Sequence, residues 1–507
     1  MTAVLSLEHI TKRFGDFAAN DDVSLTLRRG ELVALLGENG AGKTTLMNIL
    51  FGHYVPDAGR VLVAGEELPL GRPRAGIAAG VGMVHQHFTL APNLTVLENV
   101  MTGTEPLLRW RSGKAAARRK LASLAERFGL VVDQDKRVAD LSVGEQQRVE
   151  ILKALYNDAK ILILDEPTAV LTRPEAETLF KTLRVMAAEG LSLIFISHKL
   201  HEVMAAADRV LVLRAGRMVA ERVTAATSKE ELAELMVGRR VTRPVRAAAV
   251  PGETVLAARD VSVTVGGAKR LSNVSFHLRE RETLGIIGVS GNGQATLAHL
   301  VSGLVAPDAG GLSVLGEETS TLSPRDLVRR GVGRIPEDRN TEGAIGELAI
   351  WENAILERVR DAPFSKGGFV RQSTARAFAA DVIDRFDIRG GSADSRTRLL
   401  SGGNMQKLIF GRNLAGSPKV LVAAQPTRGL DEGAIAAVHG EILAARDAGA
   451  GVLLISEDLD EVLALADRVQ AIVGGRLSEP VPIESLDARR LGLMMAGEWA
   501  VAPHEAA

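Results

Sequence analysis

The stretch GELVALLGENGAGKTTLMNILFG (30–52) appears a second time, in altered form, as RETLGIIGVSGNGQATLAHLVSG (281–303). Three later segments recur in the same order: LSVGEQQRVEILKAL (141–155) as LSGGNMQKLIFGRNL (400–414), ILILDEPTAVL (161–171) as VLVAAQPTRGL (420–430), and IFISHKLHEV (194–203) as LLISEDLDEV (453–462). The distance along the chain between the two copies is far longer than the roughly 20–50 residues of a solenoid repeat. The sequence therefore predicts a duplicated domain.

The duplication also predicts the domain bounds. Periodic patterning gives way to Pro, Ala and Arg in RRVTRPVRAAAVPGE (239–253). We expect a first domain at 1–240, a linker at 241–253 and a second domain at 254–500.

Composition restricts the possible functions of the 507-residue chain. It carries 61 Lys+Arg and 62 Asp+Glu, for a net charge of -1, and hydrophobic residues make up 46%. This balance is typical of a globular protein. The near-neutral net charge gives no basic surface overall, so it does not favour nucleic acid as the main partner. The absence of cysteine excludes disulfides, zinc-thiolate sites and cysteine catalysis.

Hydrophobic patterning predicts the elements of each copy. Short Val/Ile/Leu runs alternate with longer helical patterns, which favours βαβ units around a parallel sheet buried on both faces. VLSLEHITKRF (4–14) and VSLTLRRG (23–30) alternate polar and apolar residues, as an antiparallel sheet with one wet face does. A helical insertion is expected around 95–140. All apolar runs are strand-sized, so we expect no direct insertion into a membrane.

GENGAGKT (37–44) lies between a buried strand and a helix, where a P-loop is credible. Its glycines let backbone amides surround a phosphate, and the helix N-terminus adds positive potential. Lys43 would reach the β- and γ-phosphate oxygens of ATP, and the Thr44 hydroxyl would bind Mg²⁺. The candidate phosphate-binding residues are Gly37, Glu38, Asn39, Gly40, Ala41, Gly42, Lys43, Thr44 and Thr45.

ILILDE (161–166) predicts a strand whose carboxyl end carries two carboxylates. Ligands of open α/β sheets bind at that edge. Asp165 would hold Mg²⁺ through water, and Glu166 would orient or deprotonate the attacking water. Alone, such a pair is more often a solvated loop; downstream of a P-loop, it indicates catalysis.

The order P-loop, Gln86, LSVGE (141–145), ILILDEPT (161–168) and His198 resembles one nucleotide-binding domain of the ABC ATPases, and the second copy resembles another. The resemblance implies an α/β fold of two tandem P-loop NTPase domains. Each would have a mixed sheet core, an antiparallel β flap and a helical insertion. In that family two domains pack head to tail, with each ATP between the P-loop of one and the signature motif of the other.

The resemblance also implies residue roles. Gln86 would contact Mg²⁺ and the attacking water, and His198 would contact the γ-phosphate. Phe14 would stack on adenine, or it belongs to the core. The signature of the second copy, LSGGN (400–404), would contact the γ-phosphate held by the first through Ser401, Gly402, Gly403 and Asn404.

The second copy lacks the groups that the chemistry needs. The replacements are Lys43 by Gln294, Thr44 by Ala295, Gln86 by Glu337, Asp165 by Ala424, Glu166 by Gln425 and His198 by Glu457. The glycines of its loop persist, so the loop fold is expected to survive. We therefore expect one hydrolytic site per chain, built from the first P-loop and the second signature.

Two classes of tandem ABC ATPase fit this organisation: energy-coupling subunits of importers for nucleosides or simple sugars, and soluble ATPases that act on ribosomes. The short linker, the lack of a basic arm and the degenerate second site favour the importer. GMVHQHFTLAPNLTVLENV (82–100) is similar to the nucleoside-type subgroup. The resemblance implies two transmembrane permease subunits, an extracytoplasmic solute-binding protein as an indirect partner, and a peripheral position at the cytoplasmic face of the membrane. The apolar segment through Leu97 and Val100 is core or docking surface.

Overall fold

The protein is described here by a computed structural model. The described residues are 3–85, 88–104, 113–168, 171, 173–197, 199–238, 240, 244–319 and 322–499. Its contacts divide the chain into two compact units: unit 1 is Met1–Val241 with Asp431–Gly433, and unit 2 is Thr242–Leu430 with Ala434–Ala507. The domain bounds expected from the sequence stay predictions.

Unit 1 consists of a parallel-stranded core, an antiparallel flap and helices. Its strands are β1 (Ala3–Phe14), β2 (Phe17–Arg28), β3 (Leu32–Leu36), β4 (Ala58–Val63), β5 (Glu66–Glu67), β6 (Val81–Val84), β7 (Ile161–Asp165), β8 (Ser192–Ile196), β9 (Arg209–Arg214) and β10 (Arg217–Val223). Its helices are α1 (Lys43–Phe51), α2 (Pro73–Ala78), α3 (Val96–Met101), α4 (Lys114–Phe128), α5 (Val143–Tyr156), α6 (Arg173–Ala188), α7 (Leu200–Ala206) and α8 (Lys229–Val237).

The six-stranded sheet of unit 1 has the order β10-β9-β3-β8-β7-β6 and is parallel except at β10, which pairs antiparallel with β9. Alternate residues of β3 belong to two different apolar clusters. Leu32, Ala34 and Leu36 pack in one, and Val33 and Leu35 pack in the other. Both faces of the sheet are therefore covered, which explains the unbroken apolar run of the strand.

The antiparallel flap has the order β2-β1-β4-β5. Leu5, Leu7 and Ile10 of β1 point into the cluster that also covers one face of the six-stranded sheet. The intervening polar residues are more exposed, as the alternating pattern predicts. In the helical insertion, α3 and α4 are described and 105–112 are not. Leu97 and Val100 are buried, so both belong to the core.

Unit 2 repeats the plan of unit 1, with a longer connection between β16 and β19 than between β6 and β7. Its strands are β11 (Thr254–Val265), β12 (Ala268–Arg279), β13 (Thr283–Ile287), β14 (Ala309–Val314), β15 (Glu317–Glu318), β16 (Val332–Ile335), β17 (Ser365–Lys366), β18 (Phe369–Val370), β19 (Val420–Ala424), β20 (Gly451–Ser456), β21 (Arg468–Val473), β22 (Arg476–Leu477) and β23 (Val481–Pro482). Its helices are α9 (Gln294–Val301), α10 (Pro324–Arg330), α11 (Ile350–Ile355), α12 (Gln372–Arg385), α13 (Gly402–Leu414), α14 (Glu432–Asp447), α15 (Leu459–Leu465) and α16 (Ala488–Met495).

The main sheet of unit 2 has the order β16-β19-β20-β13-β21-β22, with β23 paired to β21. The flap order β12-β11-β14-β15 matches that of unit 1. In both units the strand that precedes the glycine-rich loop, β3 or β13, is central and has a parallel strand on each side. The predicted fold class, two tandem α/β units each with a flap and an insertion, is confirmed.

Residues 244–253 are part of unit 2 and are hydrogen-bonded to the rest of it. The guanidinium of Arg446 is fully buried and donates from Nη2 to the carbonyl oxygen of Ala247 at 2.6 Å. The backbone amide of Gly252 donates to the carbonyl oxygen of Glu280 at 3.0 Å. This part of the predicted linker is thus fixed to the second copy by a buried cation and by backbone pairing.

Candidate nucleotide-binding site

The conformation of the loop between β3 and α1 requires glycine at two positions, because a side chain at either would collide with a neighbouring backbone carbonyl. A Cβ on Gly42 would lie 2.1 Å from the carbonyl oxygen of Ala19, and one on Gly37 would lie 2.2 Å from that of Leu213. Gly42 is the N-cap of α1 in a left-handed conformation and makes no side-chain cap. The first amides of α1 are thus not capped by a side chain, which leaves a helix N-terminus suited to an anion.

Lys43 is the cation of this loop, and it is almost completely buried. Its Nζ donates to the carbonyl oxygens of Gly37 at 2.7 Å and Glu38 at 2.9 Å. Burial lowers the pKa of the Lys43 ammonium, and the carboxylates of Glu166 and Asp165 oppose that shift. A partly desolvated ammonium bonded to carbonyls can exchange those contacts for phosphate oxygens at small cost.

Asp165 ends β7, as the strand-end pattern predicted, and its side chain is buried. Burial and the like charge of Glu166 raise the pKa of Asp165 to about 6, with Lys43 opposing. Glu166 follows in a left-handed backbone conformation, and its amide donates to the carbonyl oxygen of Ile196 at 3.1 Å. A buried carboxylate with a raised pKa fits a divalent cation, whose charge would favour the ionised form.

The residues present therefore fit a nucleotide with Mg²⁺. The structure brings the loop cation and the strand-end carboxylates close enough to shift each other's pKa values. Thr44 follows Lys43 in the first turn of α1 with an exposed side chain. Gln86 and His198, the remaining predicted catalytic residues, lie outside the described residues, so their roles stay predictions.

Phe14 lies at the end of β1 with 47% of its surface exposed, so it is not a core residue. Its ring meets that of Tyr54 edge to face at 5.8 Å, and Lys12 Nζ lies 5.5 Å from its centroid. Stacking on adenine stays a prediction for this ring.

Each signature serine caps its helix. Ser142 Oγ accepts from the amide of Glu145 at 3.3 Å before α5. Ser401 Oγ accepts from the Asn404 amide at 3.4 Å and from its Nδ2 at 3.0 Å before α13. Capping places both hydroxyls at a helix N-terminus.

The glycine-rich loop of unit 2 keeps the backbone shape of the unit 1 loop but lacks its lysine cation. Gly293 is the left-handed N-cap of α9, as Gly42 is of α1. Gln294 replaces Lys43 and donates from Nε2 to the carbonyl oxygen of Val289 at 2.7 Å. Its Oε1 is buried and has no hydrogen-bond partner within the described parts of the chain. The amide copies one loop contact of the lysine but not its charge.

The strand-end substitutions of unit 2 make contacts of their own. The amide of Glu457 donates to Gln425 Oε1 at 3.3 Å, and Glu337 forms an ion pair with Arg428. Burial raises the pKa of Glu457, Arg428 opposes this and Glu337 adds to it. Charged side chains of the protein therefore occupy the region that corresponds to the predicted catalytic residues of unit 1.

Glu202, a buried residue close to the predicted site, was not identified from the sequence. The Glu202 carboxylate accepts from Thr168 Oγ1 at 2.6 Å and from Ser197 Oγ at 2.9 Å, and Lys199 Nζ lies 3.3 Å away. The Glu202 carboxylate thus joins the turn after β7, which follows Glu166, to the end of β8, which precedes His198. The equivalent Glu461 makes the same two kinds of contact in unit 2. The signal was its identity in LHEV and LDEV.

Comparison with known proteins decides the family. The model of the ABC transporter family matches residues 20–169 and 271–428. The chain belongs to the ABC transporter family. The predicted tandem ATP-binding protein, an ATPase coupled to solute transport, is thereby confirmed.

Full-length relatives support the assignment. A glucose import ATP-binding protein of Haloferax volcanii is 45% identical over 97% of this chain and 96% of its own. A nucleoside import ATP-binding protein of Lactococcus lactis is 42% identical over 97% of this chain and 98% of its own. A guanosine import ATP-binding protein of Bacillus subtilis is 42% identical over 98% of both chains.

Among solved structures, an archaeal ribosome recycling factor in complex with a ribosomal stalk protein matches with a TM-score of 0.64. It covers 96% of this chain and 92% of that chain at 18% identity, so this ABC protein shares its fold. In the part of the chain that the structure describes, no helix has the length and apolar character of a bilayer span.

The close approach at Gly42 makes a testable prediction. In Gly42→Ala the added Cβ meets a backbone carbonyl that cannot move without shifting the flap, so we expect ATP affinity to fall at least about tenfold. The measurement is titration of the full-length chain with a fluorescent ATP analogue.

Gly129→Ala is the matched control. Gly129 also has a left-handed backbone but has no atom within 4 Å of its Cβ position. That variant bears only the conformational cost, about 1–2 kcal/mol, and should bind ATP normally. Equal loss of affinity in both variants would contradict the clash as the cause.

Proposed function

We propose that the chain is the ATP-hydrolysing subunit of an ABC importer for nucleosides or simple sugars. The observation that carries this is end-to-end similarity, at 42–45% identity, to import ATP-binding proteins named for glucose, nucleosides and guanosine. The motif GMVHQHF and the absence of the Asp-Glu pair from the second copy favour nucleosides over simple sugars as the solute.

The proposed subunit works at the cytoplasmic face of the membrane with two transmembrane permease subunits. An extracytoplasmic solute-binding protein would deliver the solute to them. ATP-driven closure of the subunit would switch the permeases between outward- and inward-facing states, and reopening would reset them.

The proposed hydrolytic site joins the P-loop of the first copy to the signature of the second. Backbone amides of the loop and Lys43 bind the β- and γ-phosphates, and Glu166 orients the attacking water and accepts its proton. Thr44, Asp165 and Gln86 would hold Mg²⁺, which would offset phosphate charge when bound. His198 and the signature residues of 401–404 contact the γ-phosphate.

The buried charges support this assignment of roles. Lys43 is desolvated at the loop, where its charge acts on phosphate at a lower local dielectric than in water. Asp165 is buried and its neighbour Glu166 is only partly buried, which fits the different roles proposed for the two carboxylates. The second copy has Gln294, Ala295 and Ala424 at the matching positions, and we assign it no hydrolysis.

The catalytic glutamate gives the first test. Glu166→Gln keeps shape but removes the base, so we expect kcat for ATP to fall by at least about a hundredfold with ATP still bound. The measurement is phosphate release at saturating ATP, together with retention of labelled ATP on the full-length chain.

Gln425→Glu is the matched control for this test. It creates a carboxylate in the second copy, where the lysine and the hydroxyl are absent, so it should neither add activity nor rescue Glu166→Gln. Near-normal turnover in Glu166→Gln, or rescue by Gln425→Glu, would refute a single hydrolytic site.

The signature serines give the second test. Both cap a helix, so Ser401→Ala and Ser142→Ala should each cost about 1 kcal/mol of stability. Only Ser401 is proposed to meet the ATP that is hydrolysed. We expect Ser401→Ala to lower kcat at least about tenfold and Ser142→Ala to leave it within about twofold. The reverse pattern would assign the hydrolysed ATP to the other pair of motifs.

The importer itself is tested in cells. We expect chromosomal Glu166→Gln to abolish uptake of a labelled nucleoside or monosaccharide and the tagged chain to fractionate with membranes. The alternative is a tandem ABC ATPase that acts on ribosomes. Normal uptake of every tested solute, with the chain sedimenting on ribosomes, would establish that alternative.

A further inference from the structure

Three loops meet in unit 2 at the place where the catalytic centre has been lost. They are PEDR (336–339), PTRG (426–429) and the signature LSGG (400–403). The first contact is the ion pair between Glu337 and Arg428, whose side chains are 33% and 57% exposed.

Arg339 makes the second and third contacts. Its Nη1 donates to the carbonyl oxygen of Arg428 at 2.8 Å. The guanidinium also lies directly on the signature, because a Cβ on Gly402 would be 2.7 Å from Nη2 and 3.1 Å from Cζ. One chain of contacts therefore runs from Glu337 through Arg428 and Arg339 to the first residue of α13.

The placement of Arg339 is electrostatically unfavourable on its own. A cation at a helix N-terminus opposes the helix dipole, and burial lowers the pKa of this guanidinium; the charge of Arg428 adds to that shift and the carboxylate of Asp338 opposes it. Among the described residues, none of the ion pairs within 4 Å involves Arg339. Its position is set by Arg428 and by the π-helical turn that it opens, Arg339–Gly343, where Asp338 accepts the amides of Asn340 and Thr341 at 2.8 and 3.1 Å.

The ion pair belongs to the degenerate copy alone. Glu337 stands where the first copy has Gln86, and Arg428 stands where it has Ala169. The uncharged residues of the first copy cannot form the pair. The substitution that removes the catalytic glutamine from the second copy therefore also creates a new contact.

We propose that the former catalytic centre of unit 2 is a brace, in which Glu337, Arg428 and Arg339 are positioning residues for the signature motif. The brace holds the N-terminus of α13 in the form that presents Ser401 and its glycines, without needing a nucleotide on unit 2. The proposal rests on the proposed function, because the signature so presented is the one assigned to the hydrolysed ATP.

The catalytic test is a double-mutant cycle on the full-length chain. Glu337→Gln and Arg428→Gln should each lower kcat about threefold, as expected for a half-exposed ion pair, with KM for ATP unchanged. If the two residues act as one pair, the double variant should also lose about threefold rather than about ninefold. Arg428→Lys keeps the charge and should recover most of the loss.

Arg330→Gln is the matched control. Arg330 pairs with Glu317 elsewhere in unit 2, with exposures of 32% and 59% that mirror those of the brace. It should leave kcat unchanged. An equal drop in this control, or additive losses in the cycle, would overturn the brace as a positioning device.

Hydrogen exchange tests the brace without relying on hydrolysis. In the nucleotide-free chain, Arg428→Gln should speed amide exchange at 401–406 about threefold, and Arg330→Gln should not. Unchanged exchange overturns the proposal. If Arg428→Gln speeds exchange but leaves kcat normal, while Ser401→Ala lowers kcat as predicted, the role of the brace in the reaction is overturned. Normal activity in Ser401→Ala would instead refute the proposed hydrolytic site, while the exchange result still decides whether the brace exists.

Discussion

The structure depends on one close approach of backbone to backbone. In each unit the loop after the central strand passes so near a neighbouring strand that the last residue before the helix has no room for a side chain. Gly42 faces the carbonyl of Ala19 in this way, and Gly293 faces that of Arg270 at 2.8 Å from its Cβ position. Because the constraint is steric, it acts identically whether or not the next residue is a lysine. The second unit therefore keeps the shape of a phosphate loop after losing its cation.

The lost residues form an electrostatically consistent set. In unit 1 the buried Lys43 and Asp165 each favour the charged form of the other. Removing either alone would leave an uncompensated charge in a desolvated place, which is among the costlier substitutions a core can receive. In unit 2 both are gone, replaced by the neutral Gln294 and Ala424. Only the unpaired Oε1 of Gln294 remains as a polar defect within the described residues of that loop.

The sequence predicted the features that are local and periodic. The duplicated P-loop, the buried parallel strands and the strand-end carboxylates each follow from a short pattern that fixes its own geometry. It did not predict the side-chain pairs that join separate loops. Glu202 reaches Thr168, and Arg428 reaches Glu337, across long stretches of chain, and no periodicity marks either pair. Nor did composition show that the predicted linker is tied to unit 2 by the buried Arg446.

The two units share the buried glutamate that joins their strand ends but differ at the predicted catalytic positions. The buried glutamate that joins the strand ends is kept as Glu202 and Glu461, although its neighbour Lys199 has become Asp458 and His439 now lies 3.3 Å from the second carboxylate. The carboxylate that joins the strand ends thus keeps its two hydroxyl partners in both copies, whereas the loop cation and the strand-end carboxylates of unit 1 are absent from unit 2. Retention of the strand-end ties beside a complete LSGGN is what the proposed role of unit 2, to present its signature helix, would require.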